Sequence, residues 1–243
     1  MDRSGIRCRH LATLALAGLL LVSSVAAAPA ASAATEANTA YVVSLYGDLL
    51  DRDVGGADAG VAYWAGLLDL GTSRATVARA IQNSSTEYYG NIVEFSYQRF
   101  LDRTADIGGY NYFVNGWRNK AFTLELLTAV IVGSPEYYAL HDSQAVDFVN
   151  AAYFDILGRQ ADSAGRAYFL TIAAAYGRGM VAGVLAESAE NRRAEIRFAI
   201  DSYLGRPATS PEVEFFLSAL QNGMRREEVD VQIVSSPEYY DNT

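Results

Sequence analysis

The chain has very few residues of the kinds that carry covalent and metal chemistry. Its 243 residues include one cysteine, Cys8, and two histidines, His10 and His141. Cys8 and His10 precede a predicted leader-cleavage site, so the chain beyond that site holds one histidine and no thiol. Disulfides, cysteine nucleophiles, thiolate metal centres and histidine-rich metal centres are therefore excluded there. No P-loop and no dinucleotide-binding glycine pattern is present either.

Positive charge is also scarce. Lysine and arginine number 19 against 28 aspartates and glutamates, the net charge is −9, and Lys120 is the only lysine. Nucleic-acid backbones and anionic lipid both need a cationic face, so binding to nucleic acid is not expected. The charge is compatible with cations, neutral glycans or solubility alone.

Long apolar runs are confined to the first residues. Arg3, Arg7 and Arg9 precede an apolar run from Leu11 to about Val22, and Ala31-Ser32-Ala33 fits the small-residue cleavage pattern. This arrangement predicts a signal peptide over 1–33, a linker over 34–40, and a secreted or cell-surface protein. Retention of the apolar segment as an anchor is the alternative. No later run is long enough to span a membrane, so no span is expected after cleavage.

What the chain does contain is a unit repeated four times, with a period of about fifty residues. Each copy has a segment that closes on Leu, then Asp or Gly, then Arg, and ends on Ser-x-Glu. The closing residue pairs, for copies one to four in order, are Arg52 and Glu87, Arg103 and Glu136, Arg159 and Glu190, and Arg206 and Glu238. Apolar residues precede each closing Leu at helical spacing, as Val93, Tyr97 and Phe100 precede Leu101. The first element of each copy is therefore predicted to be an amphipathic helix.

The loop after each arginine predicts the start of a second helix. Thr209-x-x-Glu212 is a capping-box pattern, and by the same register Asp106 and Asp162 are N-cap residues, with Asp58 serving copy one. A third helix follows, and Ser-x-Glu opens a further one. The pattern predicts an all-α fold of tandem helical repeats. It would hold about four copies of a three-helix unit, about twelve helices in all. These would form repeat pairs 41–138 and 145–240, separated by a break at 139–144.

The same residues carry a resemblance to a known family. Leu45-Tyr46 through Arg52, Gly60 through Tyr63-Trp64, and Glu87-Tyr88-Tyr89 resemble the bacterial secreted family known as domain of unknown function 4214. The layout is also similar to the helical domain of phycobilisome linker polypeptides. The resemblance covers nearly the whole chain beyond the leader and departs in copies three and four. It implies an all-helical module of exported or surface proteins, and it implies no reaction and no catalytic residues.

The repeated charged residues have a structural and a functional interpretation. We expect Arg52, Arg103, Arg159 and Arg206 to tie helix ends to the Ser-x-Glu carboxylates, Glu87, Glu136, Glu190 and Glu238. Asp106, Asp162 and Thr209 belong to the same structural set as caps. The alternative is that the arginines and glutamates form an anion or substrate site. Four copies of one pair favour the structural role.

Two sets of residues are candidates for binding. Asp51, Asp53 and Asp58 begin like a calcium loop, although Gly55 and Ala62 stand where two ligands belong. Exposed aromatic residues are candidates for stacking on a ligand, and since adjacent helical residues point about 100° apart, one member of each pair should be buried. These ligand-binding candidates are Tyr63, Trp64, Tyr88, Tyr89, Tyr137, Tyr138, Tyr239 and Tyr240.

These observations favour a non-enzymatic interaction module that binds a protein or a glycan, with no cofactor. One alternative is an adhesion or matrix domain stabilised by calcium. The other is a glycan hydrolase that uses paired carboxylates, for which no specific pair stands out.

Overall fold

The computed structural model describes residues 35–84 and 86–243, so the predicted signal peptide and Ser85 lie outside the described residues. The described part contains helices and no strand, which confirms the all-α fold. None of these helices has the length and apolar character that a membrane crossing requires. The helices are α1 Glu36–Leu50, α2 Ala59–Asp69, α3 Arg74–Ser84, α4 Glu87–Leu101, α5 Ile107–Arg118, α6 Leu124–Val132, α7 Pro135–Leu140, α8 Ala145–Leu157, α9 Ser163–Tyr176, α10 Arg178–Glu187, α11 Ala189–Leu204, α12 Ser210–Gln221, α13 Arg226–Val234 and α14 Pro237–Asp241.

The described residues hold fourteen helices, two more than the expected number of about twelve. The difference comes from the Ser-Pro-Glu segments of copies two and four, which form the separate short helices α7 and α14. In copies one and three the corresponding segment continues directly into the first helix of the next copy, as predicted, and gives α4 and α11. Between α7 and α8 the helix is interrupted from His141 to Gln144. The division into two repeat pairs stays a prediction.

The second helix of each of the first three copies begins at the predicted cap. The Asp58 carboxylate accepts a hydrogen bond from Gly60 N–H at 2.8 Å, and Asp106 accepts one from Gly109 N–H at 2.9 Å. Asp162 accepts one from Gly165 N–H at 2.7 Å. Each bond satisfies a backbone donor that the first turn of a helix leaves unpaired. Local sequence alone therefore positions these helix starts.

The four copies form a closed arrangement. The Tyr137 hydroxyl, on α7, donates to the Asp155 carboxylate of α8 at 2.6 Å. The Tyr239 hydroxyl, on α14, donates to Asp48 of α1 at 2.7 Å. Asp48 and Asp155 occupy the same register, two residues before the Leu that closes their helices. The end of copy four thus packs on copy one as the end of copy two packs on copy three, unlike an open stack in which each repeat contacts only its neighbours in sequence.

The closed arrangement has two seams of different character. Between α6 and α10 the backbones approach closely, because a Cβ at Gly133 would lie 2.6 Å from the Cα of Gly179. Between α3 and α13 polar pairs are also present: Arg79 pairs with Glu228, and the Gln82 amide donates to the carbonyl of Glu227 at 3.0 Å. Both seams thus combine buried apolar packing with polar contacts, and the seam between α6 and α10 is distinguished by the close approach of its backbones.

Candidate functional site

The repeated arginines are positioned by the backbone at the end of each first helix. The residue before each arginine has a left-handed conformation, with φ of 55° at Asp51, 52° at Asp102, 73° at Gly158 and 66° at Gly205. Glycine, aspartate and asparagine are the residues that adopt this conformation most readily. The Leu-Asp/Gly-Arg sequence therefore ends the helix and turns the arginine out of its axis.

Each arginine then meets the glutamate of its own copy, as predicted. Nη2 donates to the glutamate Oε2 at 2.7 Å for Arg103 and Glu136, and Nε donates to Oε1 of the same carboxylate. Arg159 binds Glu190 in the same two-pronged way, with the Nη2–Oε2 distance at 2.8 Å. These hydrogen bonds hold the pKa values of Glu136 and Glu190 below their usual range.

The first and last copies vary this contact. Arg52 and Glu87 form an ion pair at 3.7 Å in copy one. In copy four Arg206 Nη2 donates to Glu238 Oε2 at 2.7 Å and Nε donates to Oε1. The arginine–glutamate contact therefore occurs in all four copies, in line with its predicted structural role.

A tyrosine ring lies beneath the guanidinium in the first three copies. The distance from the guanidinium carbon to the ring centroid is 5.3 Å for Arg52 and Tyr46, 5.0 Å for Arg103 and Tyr97, and 5.3 Å for Arg159 and Tyr153. The hydroxyl end of each ring lies against the start of the second helix, where the chain has a glycine. A Cβ would lie only 2.5, 2.1 and 2.5 Å from the tyrosine oxygen at Gly60, Gly109 and Gly165, respectively. The glycine makes room for the tyrosine.

Copy four changes both partners of this contact. Ile200 replaces the tyrosine and Glu212 replaces the glycine. The Glu212 carboxylate accepts from Arg206 Nη2 at 2.6 Å, and from the Thr209 hydroxyl at 2.7 Å and Thr209 N–H at 2.8 Å. The hydrogen bond from Arg206 contributes most, and with those from Thr209 it lowers the pKa of Glu212 to about 2. Arg206 is thus held between two carboxylates, and no ring lies beneath it.

An open groove of about 380 Å³ lies beside this altered contact. Its apolar wall comes from three helices: Ile200 and Leu204 of α11, Phe215 and Phe216 of α12, and Ile233 of α13. Glu212 and Glu238 lie on its polar side. Copy four also has a hydrophobic core largely of its own, built around Ile196, Ile200, Phe216 and Ile233, whereas the first three copies share one core.

The second helix of every copy exposes one aromatic ring at the same position. Tyr63, Tyr112, Tyr168 and Phe215 are 60%, 58%, 56% and 60% exposed. The residue that follows each of them is buried or half-buried and meets the exposed ring edge to face, at centroid distances from 4.9 to 5.2 Å. The pairs of copies two to four thus have the expected one exposed and one buried member, whereas Trp64 in copy one is half-buried. We refer to Tyr63, Tyr112, Tyr168 and Phe215 as the ring series. Of the predicted candidates, Tyr63 belongs to the series and Trp64 is its half-buried neighbour.

The Tyr-Tyr pairs, in contrast, do not offer faces to a ligand. Tyr88, Tyr89, Tyr137 and Tyr239 are all buried, which corrects the expectation that they are ligand-binding residues. Their hydroxyls are used inside the protein, where Tyr88 donates to Asp230 at 2.6 Å and Tyr89 to Asn83 at 2.9 Å. Burial raises the pKa of Tyr137 and Tyr239 well above the usual range, and the neighbouring aspartates add to this.

The second members of the two later pairs are half-buried beneath arginines. The guanidinium of Arg178 lies 4.2 Å from the ring centroid of Tyr138, and that of Arg74 lies 4.6 Å from the ring of Tyr240. One face of each ring is therefore already covered by a cation of the same chain. Neither ring belongs to the exposed series.

The three calcium candidates are separated by their structural roles. Asp51 ends α1, Asp58 caps α2 through its carboxylate, and Asp53 is exposed in the loop between them. Within residues 35–84 and 86–243, no three or more His, Cys, Asp or Glu side chains are grouped so that they could share a metal ion. No contact of the described residues favours calcium over the capping role of Asp58.

Sequence reasoning missed the groove of copy four. The joint change to Ile200 and Glu212 was visible as a departure from the repeat. The groove itself depends on the volume between α11, α12 and α13, and a local sequence pattern does not predict that volume.

Comparison with protein families gives a match over more than half of the chain. Residues 22–92 and 128–194 match the model of the family described as Domain of unknown function (DUF4214). Comparison with curated proteins and with solved structures gave no match.

Proposed function

The chain belongs to the DUF4214 family, and we propose that it is an exported, non-enzymatic interaction module of the cell surface. It binds its partner through the ring series. Of the two partner classes that suit exposed aromatic rings, protein and glycan, we favour a neutral glycan with repeating units. Export is supported by the leader pattern of residues 1–33.

The observation that carries this proposal is the repetition of an exposed ring at the same position of every copy. Each ring is more than half exposed and is held edge to face by a buried or half-buried neighbour, so its outer face is available at little cost in conformational entropy. Aromatic rings displayed in this way suit the apolar faces of sugars. The net charge of −9 favours a neutral ligand over an anionic one.

The fourfold display favours a repeating ligand in particular. A polymer that engages a second ring after the first does so at a high effective concentration, so several weak contacts add to a firm attachment. A repeating polysaccharide offers equivalent groups to equivalent rings. A single folded protein surface would not.

The experiment is a binding measurement with graded loss of rings. We expect the protein to bind a neutral polysaccharide on a glycan array and in sedimentation assays. Tyr63→Ala, Tyr112→Ala and Tyr168→Ala should each weaken this binding several-fold, and the triple variant should abolish it. Phe215 is left intact because it also lines the groove of copy four.

Tyr176→Ala is the matched control, because Tyr176 is 69% exposed but lies outside the ring series. It should bind as the parent chain does, and all variants should keep the same melting temperature. No binding on the glycan array, or undiminished binding by the triple variant, would contradict glycan binding through these rings and favour a protein partner. Release of new reducing ends from the bound polysaccharide would contradict the non-enzymatic assignment.

A further inference from the structure

The groove of copy four borders the position that the other copies fill with a tyrosine ring. In copies one to three, the space between the end of the first helix and the start of the second holds the ring of Tyr46, Tyr97 or Tyr153. Copy four has Ile200 at that position, and Ile200 and Glu212 line the groove of about 380 Å³. The other three copies therefore show which group packs between these two helices, and that group is an aromatic ring.

The walls of the groove are also suited to a ring. Phe215 and Phe216 line one side, and their mutual edge-to-face contact at 5.2 Å leaves Phe215 exposed to a further ring. Ile233 of α13 also lines the groove. An inserted ring would gain hydrophobic burial and aromatic contacts of the kind that stabilise such pairs.

The start of α12 selects between aromatic side chains. In copy two a Cβ at Gly109 would lie 2.1 Å from the Tyr97 oxygen, and in copy four Glu212 supplies a Cβ at the corresponding position. A phenol placed as Tyr97 is placed would collide with Glu212. A phenyl ring lacks the hydroxyl, and because its para carbon would lie 3.1 Å from that Cβ, a small shift of the ring is enough to accommodate it.

The polar side of the groove favours positive charge beside the ring. Glu212 and Glu238 both lie there and share the single cation Arg206, which leaves one negative charge in excess. The hydrogen bonds to Glu212 keep it ionised well below neutral pH. A basic residue next to the inserted ring would complement this excess.

We propose that the groove of copy four binds a phenylalanine side chain of a partner peptide that carries lysine or arginine beside it. This site is distinct from glycan binding by Tyr63, Tyr112 and Tyr168. Failure of one leaves the other standing, since Phe215 is the only residue that the two surfaces share.

The test is a titration of the isotope-labelled full chain with four acetylated, amidated tripeptides, followed by amide NMR shifts. Lys-Phe-Lys should bind saturably below about 10 mM, and the shifts should centre on Phe215, Phe216 and Ile233. Lys-Tyr-Lys, Glu-Phe-Glu and Lys-Ala-Lys should each bind at least about tenfold more weakly, a difference of about 1.4 kcal/mol.

Two variants tie the binding to the groove. Ile200→Phe places a ring of the chain itself in the space and should reduce Lys-Phe-Lys binding at least about tenfold. Phe215→Ala removes an exposed wall and should weaken binding without affecting the fold, which keeps the test valid if Ile200→Phe folds poorly. Phe198→Ala is the control, because Phe198 is an exposed ring of α11 that does not line the groove.

The proposal is overturned if Lys-Phe-Lys causes no saturable shift, or if Lys-Ala-Lys binds equally well. It is also overturned if folded Ile200→Phe and Phe215→Ala bind as tightly as Phe198→Ala. Equal binding of Lys-Tyr-Lys would contradict the role given to Glu212, and equal binding of Glu-Phe-Glu would contradict the role given to the carboxylates.

Discussion

Copies two and four place an equivalent arginine on an equivalent glutamate, yet they complete its surroundings in opposite ways. In copy two Arg103 lies over the Tyr97 ring, and Gly109 makes room for that ring. In copy four a second carboxylate, Glu212, takes the place of the glycine, and Ile200 leaves the space beneath Arg206 without a ring. The tyrosine and the glycine thus occur together in copies one to three, and both are replaced in copy four.

The largest expected effect comes from replacing the glycine of copy two while its tyrosine is kept. Gly109→Ala should lower the free energy of unfolding by about 1–3 kcal/mol, because the new methyl group would overlap the buried Tyr97 hydroxyl. Urea denaturation measures the change. Tyr97→Phe in the same chain should restore much of the loss by removing the oxygen.

Gly47→Ala provides the control for this prediction. Gly47 lies within α1, and a Cβ there has no neighbour within 4 Å. The substitution should stabilise the protein by about 0.5–1 kcal/mol through helix propensity. If Gly109→Ala behaved like Gly47→Ala, the close approach of Tyr97 would have no energetic weight.

Removal of the arginines should have a smaller effect that separates the copies. Arg103→Ala and Arg159→Ala should each cost about 1 kcal/mol, since each removes a half-exposed ion pair and a cation–ring contact. Arg206→Ala should cost about 1–2 kcal/mol, because it leaves two neighbouring carboxylates without the cation between them.

Thermal melts at low and high salt test this order, and the gap between Arg206→Ala and the other two should change most with salt. Binding of any partner by Arg103→Ala and Arg159→Ala should be nearly unchanged. Loss of binding in a folded Arg103→Ala variant would reverse the structural role given to the repeated arginines.

The smallest expected effect is a dependence on pH in copy four. The pKa of Glu212 is lowered from 4.5 to about 2 in the folded protein, so its contribution is present above pH 4.5 and is lost as the pH falls toward 2. Glu212→Gln should therefore cost about 0.5–1 kcal/mol near neutral pH, and the difference from the parent chain should shrink in acid. Denaturation curves at several pH values measure this. A difference that grew in acid would contradict the assignment.

The features that the sequence predicts correctly are local ones. Asp58, Asp106 and Asp162 cap helices because their side chains reach donors two or three residues away, and such contacts depend on spacing alone. The arginine–glutamate pairs could be inferred because they recur, so one geometry explains four occurrences.

The features that the sequence does not predict depend on distant packing. Tyr239 and Asp48 are separated by 191 residues, and no periodic pattern states that copy four returns to copy one. The same distance explains the error over the Tyr-Tyr pairs: Tyr88 is buried because Asp230 of α13 packs against it. The two extra helices, α7 and α14, each begin at a Ser-Pro-Glu segment, and α7 ends after six residues at His141 instead of continuing into α8.

Because the arrangement of the repeats is closed, the fold should not depend on which repeat comes first in the sequence. The Tyr240 hydroxyl donates to the Asn38 side chain at 3.0 Å, so residues near both ends of the described segment are neighbours. A circular permutant that is opened between Leu140 and Ala145, with Thr243 joined to Thr35 through a short glycine–serine linker, would retain every helix-to-helix contact. The two halves would then be exchanged along the chain while the same protein was formed.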